Sequence, residues 1–141
     1  MPILISQARE LLESDALAHL VTLNPDGSAQ LSCVWVGLDG DDIVSGHMMR
    51  RAKVRNVEQD ARVVLSVEGA GVSDHGLREY LVVHARASVE EGGAAALLQR
   101  LAHVYLGPEV VFPPPNFDAP GFVLRMTPQR VTGVGPWADG V

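Results

Sequence analysis

A short basic stretch in the middle of the chain is its strongest candidate for a ligand-binding site. Residues 50–55 hold Arg50, Arg51, Lys53 and Arg55, which are four of the 11 lysine and arginine residues in a protein of formal net charge −6. So dense a positive cluster in an acidic protein costs self-repulsion, which indicates a local anionic ligand. A solvated helix start that only aids solubility explains the charge equally well. Charge density alone leaves both interpretations open.

The elements predicted around this stretch would position it for binding a phosphate. Residues 42–46 have the character of a strand, and residues 52–58 have that of a short helix. The first turn of a helix presents backbone N–H groups without intrahelical partners at the positive end of the helix dipole. A strand followed by a helix would therefore aim N–H groups and basic side chains at one point.

Composition limits the classes of protein to which the chain could belong. At 141 residues, with 47% hydrophobic and 20% charged residues, the chain is predicted to form one globular domain over residues 1–141. The acidic balance argues against nucleic acid as the main partner. Cys33 is the only cysteine, which excludes an internal disulfide and favours a cytoplasmic location. No signal peptide or membrane span is expected.

Hydrophobic periodicity predicts alternating strands and a few helices along the chain. The turn Asn24-Pro25-Asp26-Gly27 predicts a hairpin. In its second arm Ala29, Leu31, Cys33 and Trp35 share one face, and we interpret Cys33 as a small core residue. The prolines at 113–115 predict a surface loop or lid, and Pro128 is expected to break the last strand. Helices are predicted over residues 3–14, 52–58 and 91–106, and strands over residues 19–23, 29–37, 42–46, 62–68, 79–89, 122–127 and 129–133, with a loop over 69–76.

This pattern predicts a mainly β fold with flanking helices. Six or seven mostly antiparallel strands tend to curl into a barrel, because closure removes exposed strand edges. The five histidines show no spacing that suits a metal site, so none is predicted.

Four stretches of sequence resemble the split β-barrel flavin and deazaflavin enzymes related to pyridoxamine 5′-phosphate oxidase. More narrowly, the chain is similar to the short actinobacterial members that use coenzyme F420. The basic stretch and the C-terminal stretch are the most specific of the four. All four stretches are NPDG with QLS (residues 24–27 and 30–32), RAKVRN (51–56), QDARV (59–63) and RVTGVGPW (130–137).

The resemblance implies a split β-barrel and a homodimer with cofactor sites between its subunits. The expected cofactor is F420, whose phosphate and polyglutamate tail suit a cluster of cations, with flavin mononucleotide as the alternative. Bound in its reduced form, F420 would deliver a hydride to an unsaturated or quinone-like small molecule. The resemblance further implies that Arg51, Lys53, Arg55 and Asn56 hold the phosphate end, and that Gln30, Ser32 and Val34 lie along the ring system.

Several other residues have both a functional and a structural interpretation. His47 adjoins the basic stretch and could contact the ligand, although a structural role explains it better, and Trp137 could close a ligand groove or only pin the tail. Tyr80 and Tyr105 could each donate a proton, with Tyr105 better explained as a core residue. Phe112 and Phe117 could cap the substrate side. No catalytic residue is assigned.

Two observations leave the function open. The basic segment with which the split-barrel flavin oxidases bind a pyridoxal phosphate substrate is not found near the C-terminus, where the chain offers only Arg125 and Arg130. Oxidation of vitamin B6 is therefore not expected. The absence of an obvious proton donor beside the basic stretch also suits a non-catalytic F420-binding or carrier protein.

Overall fold

Across residues 3–115 and 119–138, seven antiparallel strands form a single sheet, and three helices flank it. The computed structural model describes residues 3–115 and 119–138. The strand order is β2-β1-β5-β6-β7-β4-β3, and every pairing is antiparallel. The predicted mainly β fold with flanking helices is therefore confirmed. The elements are α1 (Ser6–Leu12), β1 (Ala18–Leu23), β2 (Ala29–Val34), β3 (Gly37–Asp39), β4 (Asp42–His47), α2 (Ala52–Gln59), β5 (Arg62–Val72), β6 (Arg78–Glu91), α3 (Ala94–Tyr105) and β7 (Phe122–Val134).

The hydrophobic core lies on the inner face of the curved sheet. In β6, Leu81, Val83, Ala85 and Ala87 are buried, while the residues between them are exposed or half-buried. Because successive side chains of a strand point to opposite faces, this alternation gives the sheet an apolar inner face and a more open outer face. The helices complete the core with inward residues, among them Leu12 of α1 and Val54 and Val57 of α2.

The last strand differs from its prediction because a bulge accommodates its proline. β7 continues through Pro128 from Phe122 to Val134. The register with β6 shifts at this point, since His84 pairs with Arg130 and Ala85 pairs with Pro128. One extra residue in β7 lets the strand pass a residue that has no backbone N–H to donate. The predicted break at Pro128 was wrong.

Two other boundaries also differ from the predictions. β5 continues to Val72, so residues 69–72, predicted as loop, belong to the strand. β2 ends at Val34 and does not reach residue 37 as predicted. Gly37 instead begins a separate short strand, β3, which pairs with β4.

The sheet stays open between its two terminal strands. β2 and β3 end the strand order, so each has one unpaired side among the described strands. β3 pairs with β4 only from Asp42 to Val44 within the described chain, which leaves Ser45 to His47 paired with β7 alone. The opening therefore lies between β2 and the end of β4. Within residues 3–115 and 119–138, no helix has the length and hydropathy to cross a membrane.

Candidate functional site

A cavity of about 240 Å³ lies at the opening of the sheet. It joins the end of β2, the end of β4, the first turn of α2 and one face of α3. Gly46 is needed there, because a side chain at this position would meet Leu98 of α3 at 2.9 Å. Three of the residues predicted to bind the cofactor share this cavity. Its lining is Leu17, Cys33, Val34, Trp35, Gly46, His47, Lys53, Leu98 and Phe112.

His47 supplies a neutral, buried imidazole to this cavity. It is only 8% exposed, and its Nε2 and the Ser45 hydroxyl are joined by a hydrogen bond of 2.7 Å. Burial, together with the smaller effect of the positive charge of Lys53, lowers the pKa of His47 to about 4. His47 is therefore uncharged near neutral pH and acts as a hydrogen-bonding group.

Lys53 is the cation that lines the cavity, and it is the only lysine in the chain. Burial lowers the pKa of Lys53, and repulsion from Arg51 adds to this effect. Both causes destabilise the ammonium form. An anion bound beside Lys53 would offset them, so the site is electrostatically suited to a negative ligand.

The remaining cations of the basic stretch surround the start of α2. Arg51 immediately precedes α2, is exposed, and has no acidic partner among the described residues. The guanidinium of Arg55 donates to the carbonyl of Arg50 at 2.8 Å and so braces the loop before the helix. Arg50 forms an ion pair with Glu58. Lys53 and Arg51 are therefore the cations most available to bind an anionic ligand.

Asn56 and Gln30 belong to a buried polar network beneath α2. The amide nitrogen of Asn56 donates to the Thr22 hydroxyl at 3.0 Å and to the side-chain oxygen of Asn24 at 2.9 Å. The Thr22 hydroxyl in turn donates to the side-chain oxygen of Gln30 at 2.9 Å. Asn56 is only 4% exposed. The network ties α2 to β1 and β2, and both N–H donors of Asn56 are used in it.

Ser32 also points toward this inner side of β2. Its hydroxyl oxygen is buried and has no hydrogen-bond partner among the described residues. Of the three β2 residues predicted to lie along the cofactor ring, Val34 alone lines the cavity at the opening.

Trp137 packs against the start of β6, apart from the cavity that contains Lys53. Its indole N–H donates to the backbone carbonyl of Tyr80 at 2.9 Å. A side chain at Gly135 would meet the indole at 2.6 Å, so glycine is required for this packing. Trp137 does not line the cavity that contains Lys53. It fixes the start of β6.

An aromatic wall closes one side of the cavity. Trp35 stacks on Tyr105, with ring centroids 5.4 Å apart and planes at 11°. Phe112 meets Trp35 edge-on, also at 5.4 Å. The Tyr105 hydroxyl donates to the carbonyl of Ala16, and the Gln99 side chain accepts from the N–H of Phe112. The wall is therefore held from both α3 and the loop after it. Phe117 lies outside the described residues.

Cys33 corrects another prediction. It is exposed and lines the cavity, so it is not a core residue. On the same face of β2, Leu31 is 60% exposed. The face containing Ala29, Leu31 and Cys33 is therefore the outer one, opposite the less exposed face of Gln30, Ser32 and Val34.

A second cavity, of about 420 Å³, lies on this outer face. It adjoins the first, since Cys33 of the first cavity is directly paired across the strands with His19 of the second. The lining of this outer cavity is His19, Val21, Leu31, Val64, Ser66, Val67, Glu68, Arg78, Glu79 and Tyr80.

The two C-terminal arginines already have partners within the protein. Arg125 donates to the carboxylates of Asp39, Asp42 and Glu90 at 2.8–3.2 Å. Arg130 lies 3.3 Å from the ring nitrogen of His84. Arg125 is therefore not available to a phosphate-bearing substrate, which agrees with the missing basic segment.

Sequence reasoning missed two residues that shape the site. Thr22 is completely buried at the centre of the polar network. A signal was present, because its inward position in the predicted strand places a hydroxyl where an apolar side chain is usual. Leu98 lines the cavity from α3, and no local pattern shows which strand a helix will approach.

Comparison with known proteins yields a consistent set of relatives. A family model described as pyridoxamine 5′-phosphate oxidase matches residues 4–135. A solved F420 reductase is 26% identical, with a TM-score of 0.71, over 88% of this chain and 94% of its own. The conserved hypothetical protein Rv2991 from Mycobacterium tuberculosis is 21% identical, with a TM-score of 0.71, over 94% of this chain and 86% of its own.

A more distant structure has the same fold. A putative pyridoxamine 5′-phosphate oxidase from Listeria innocua is 17% identical, with a TM-score of 0.63, over 89% of this chain and 93% of its own. A search of curated proteins finds no significant match.

Proposed function

Because the chain belongs to the pyridoxamine 5′-phosphate oxidase family, we propose that it is an oxidoreductase that uses reduced F420 to reduce an unsaturated or quinone-like small molecule. The observation that carries this proposal is the position of Lys53. The only lysine of an acidic chain lines a cavity at the opening of the sheet, beside neutral His47 and near Arg51. The similarity to an F420 reductase supports the choice of cofactor.

The donor groups at the opening fit the acidic end of F420. Lys53 is partly buried, whereas Arg51 and Arg55 are exposed at the start of α2. This gradation suits an anion that begins in the cavity and continues into solvent, as a phosphate followed by a polyglutamate tail would. Lys53, Arg51 and Arg55 would hold that end, together with the N–H groups of the first turn of α2.

The neighbouring residues would orient the ligand and exclude water. Val34 and His47 line the same cavity and would contact the bound molecule. Gln30 and Asn56 would act indirectly, since their hydrogen bonds fix α2 against β1 and β2. Ser32 offers a buried hydroxyl without a partner among the described residues. When bound, the cofactor would supply the hydride.

We also propose that the protein forms a homodimer through the outer face of its sheet. The outer sheet face leaves Leu31, Val21 and Val64 exposed or half-buried side by side. A contiguous apolar face of this kind marks an interaction surface. A second copy of the chain would cover it and would enclose the outer cavity and Trp137 nearby. This arrangement would place the cofactor between two subunits, and Trp137 would then border its groove.

Binding measurements would test the proposed cofactor directly. Calorimetric titration of the protein with F420, and separately with flavin mononucleotide, should show tighter binding of F420. Lys53→Ala and Arg51→Ala should each weaken binding by about 1–3 kcal/mol, the usual loss for a charge-assisted hydrogen bond. Arg9→Ala is the matched control, because Arg9 pairs with Asp41 away from the cavity.

The alternatives correspond to distinct outcomes of this titration. Micromolar binding of flavin mononucleotide alone would replace the deazaflavin with a flavin. Tight F420 binding without oxidation of its reduced form by a broad panel of acceptors would indicate a carrier protein. Unchanged F420 affinity in both Lys53→Ala and Arg51→Ala would show that these two residues do not bind the cofactor.

The single lysine permits a second, independent measurement. Acetylation with an amine-reactive ester, followed by mass spectrometry, reports the accessibility of Lys53. Saturating F420 should protect Lys53 strongly and leave the terminal α-amino group unprotected. Equal acetylation with and without F420 would contradict the proposed position of the ligand.

A further inference from the structure

The outer cavity has the features of a small-molecule site. Its volume of about 420 Å³ falls within the range of about 300–1,000 Å³ that is typical of ligand pockets. Val21, Leu31 and Val64 provide apolar walls, while His19 and Tyr80 contribute polar hydrogens. Apolar walls with a few converging polar groups are the usual composition of a site for a neutral organic molecule.

The position of this cavity connects it to the cations at the opening. His19 of the outer cavity and Cys33 of the Lys53 cavity are directly opposite each other across β1 and β2. Leu31 follows on the same face of β2, two residues from Cys33. A ligand anchored at Lys53 and extending past Cys33 would therefore reach the outer cavity at its reactive end.

We propose that the outer cavity binds the hydride acceptor, an uncharged α,β-unsaturated carbonyl compound, and that Tyr80 is the catalytic residue that protonates it. This inference rests on the proposed function, because the hydride must come from a reduced deazaflavin. Glu68 and Glu79 line the cavity against a single arginine, Arg78. This excess of negative charge disfavours a carboxylate-bearing acceptor and favours a neutral one.

Tyr80 is held in place by its backbone while its side chain stays accessible. Its carbonyl accepts the hydrogen bond from the indole of Trp137, and it is paired with Glu68 of β5 and Val134 of β7. Its side chain points to the outer face and is 43% exposed. Trp137 is therefore a positioning residue for Tyr80.

The proposed reaction balances with two electrons and two hydrogens. The β-carbon of the acceptor receives a hydride, a new C–H bond forms, and the C=C π pair shifts toward the carbonyl oxygen. The Tyr80 hydroxyl donates its proton to that oxygen, which gives the enol. Water then returns a proton to the phenolate, and the enol isomerises to the saturated carbonyl compound. The cofactor is left oxidised by two electrons.

Fluorine NMR tests acceptor binding without any turnover. The chain has two tyrosines, so protein labelled with 3-fluorotyrosine gives two signals, which Tyr80→Phe assigns. Addition of 2-cyclohexenone should shift the Tyr80 signal and leave that of Tyr105 unchanged, because the Tyr105 hydroxyl is bound to Ala16. A shift confined to Tyr105, or to neither signal, would overturn the proposed acceptor site.

Kinetics with two acceptors of the same ring size test the proton transfer. Enone reduction requires an acid, whereas hydride addition to 1-nitrocyclohexene gives a nitronate that is stable without immediate protonation. Tyr80→Phe should lower kcat for 2-cyclohexenone by about 10²–10⁴-fold, the usual contribution of a general acid, with KM little changed. The rate for the nitroalkene should change little. Equal losses for both acceptors would show a structural role and overturn the assignment.

Two further variants complete the design. Trp137→Phe keeps the packing but loses the bond to the Tyr80 carbonyl, so it should slow the enone more than the nitroalkene. Ser66→Ala removes a different hydroxyl from the same cavity and should leave the ratio of the two rates unchanged. If F420 binds at Lys53 but the Tyr80 signal does not respond, only this inference fails. If F420 does not bind, the proposed function fails as well.

Discussion

The two faces of β2 differ sharply in how their polar and apolar groups are paired. On the inner face Gln30 joins Thr22 and Asn56 in a buried hydrogen-bonded network. On the outer face the adjacent residue Leu31 is 60% exposed. Apart from the Ser32 hydroxyl, the polar groups of the inner face are thus paired within one chain, whereas the outer face leaves apolar surface uncovered. A single strand therefore carries both a rigid support and a surface suited to further contacts.

This difference separates two kinds of residue in the candidate site. Residues of the inner network act by keeping α2 and its cations in place, so their loss should appear first in stability. Residues that line the cavities have few internal partners, so their loss should appear in binding or association. Three predictions test this division, in order of their expected effect on the free energy of unfolding.

Asn56→Ala should have the largest effect. It removes one buried and one part-buried hydrogen bond and leaves Thr22 with one fewer partner, so the free energy of unfolding should fall by about 2–4 kcal/mol. Urea denaturation measures this loss. F420 affinity of the folded variant should change far less than it does in Lys53→Ala, because both N–H donors of Asn56 are engaged within the protein.

Asn24→Ala serves as the control for this variant. It removes one of the two bonds of Asn56 at a part-buried position, and it should cost about 1 kcal/mol. If Asn56→Ala kept full stability but lost F420 binding, Asn56 would be a direct ligand and the division between the two faces would fail.

The stability of the protein should depend on His47 below neutral pH. The folded pKa of about 4 lies below the ordinary value of 6.5, so only the unfolded chain takes up a proton between these values. Stability attributable to His47 is complete above pH 6.5 and is lost as the pH falls toward 4. Between pH 7 and pH 5 the loss should be about 2 kcal/mol.

His47→Gln isolates this contribution from those of the other titrating groups. Urea denaturation at both pH values should show a difference between wild type and variant that shrinks as the pH falls. Identical pH dependence in the two proteins would mean that His47 is hydrated and outside the buried set.

Local sequence patterns predict many of the strands and the cations of the candidate site, whereas the other features depend on tertiary contacts. The alternation in β6 separates its buried residues from its more exposed ones, because a period of two is a direct consequence of strand geometry. The charge of Lys53 and Arg51 was likewise evident from the sequence. Alternation alone does not say which face of an isolated strand is inner, and Cys33 was consequently assigned to the wrong one.

Other misses have the same origin in contacts between distant residues. Pro128 was expected to end a strand, but pairing with β6 on one side and a bulge keep β7 continuous. The hydrogen bond of Trp137 likewise joins it to Tyr80, a residue 57 positions away, which no local pattern indicates. Local propensity carries no information about such partners.

Leu31→Lys should have the smallest effect on the folding of the isolated chain and a large one on association. Because Leu31 is already exposed, the free energy of unfolding of the monomer should change by about 0.5 kcal/mol or less. A charge in the apolar face should nevertheless prevent a second copy from covering it. Analytical ultracentrifugation should give a dimer for the wild type and a monomer for the variant, and the wild-type Tm should rise with protein concentration.

Val104→Lys places the same charge on α3, where Val104 is 43% exposed, and should leave the dimer intact. A wild-type monomer, or a Leu31→Lys dimer, would show that the outer face is not the interface, and the comparison between the two faces of β2 would then concern ligand binding alone.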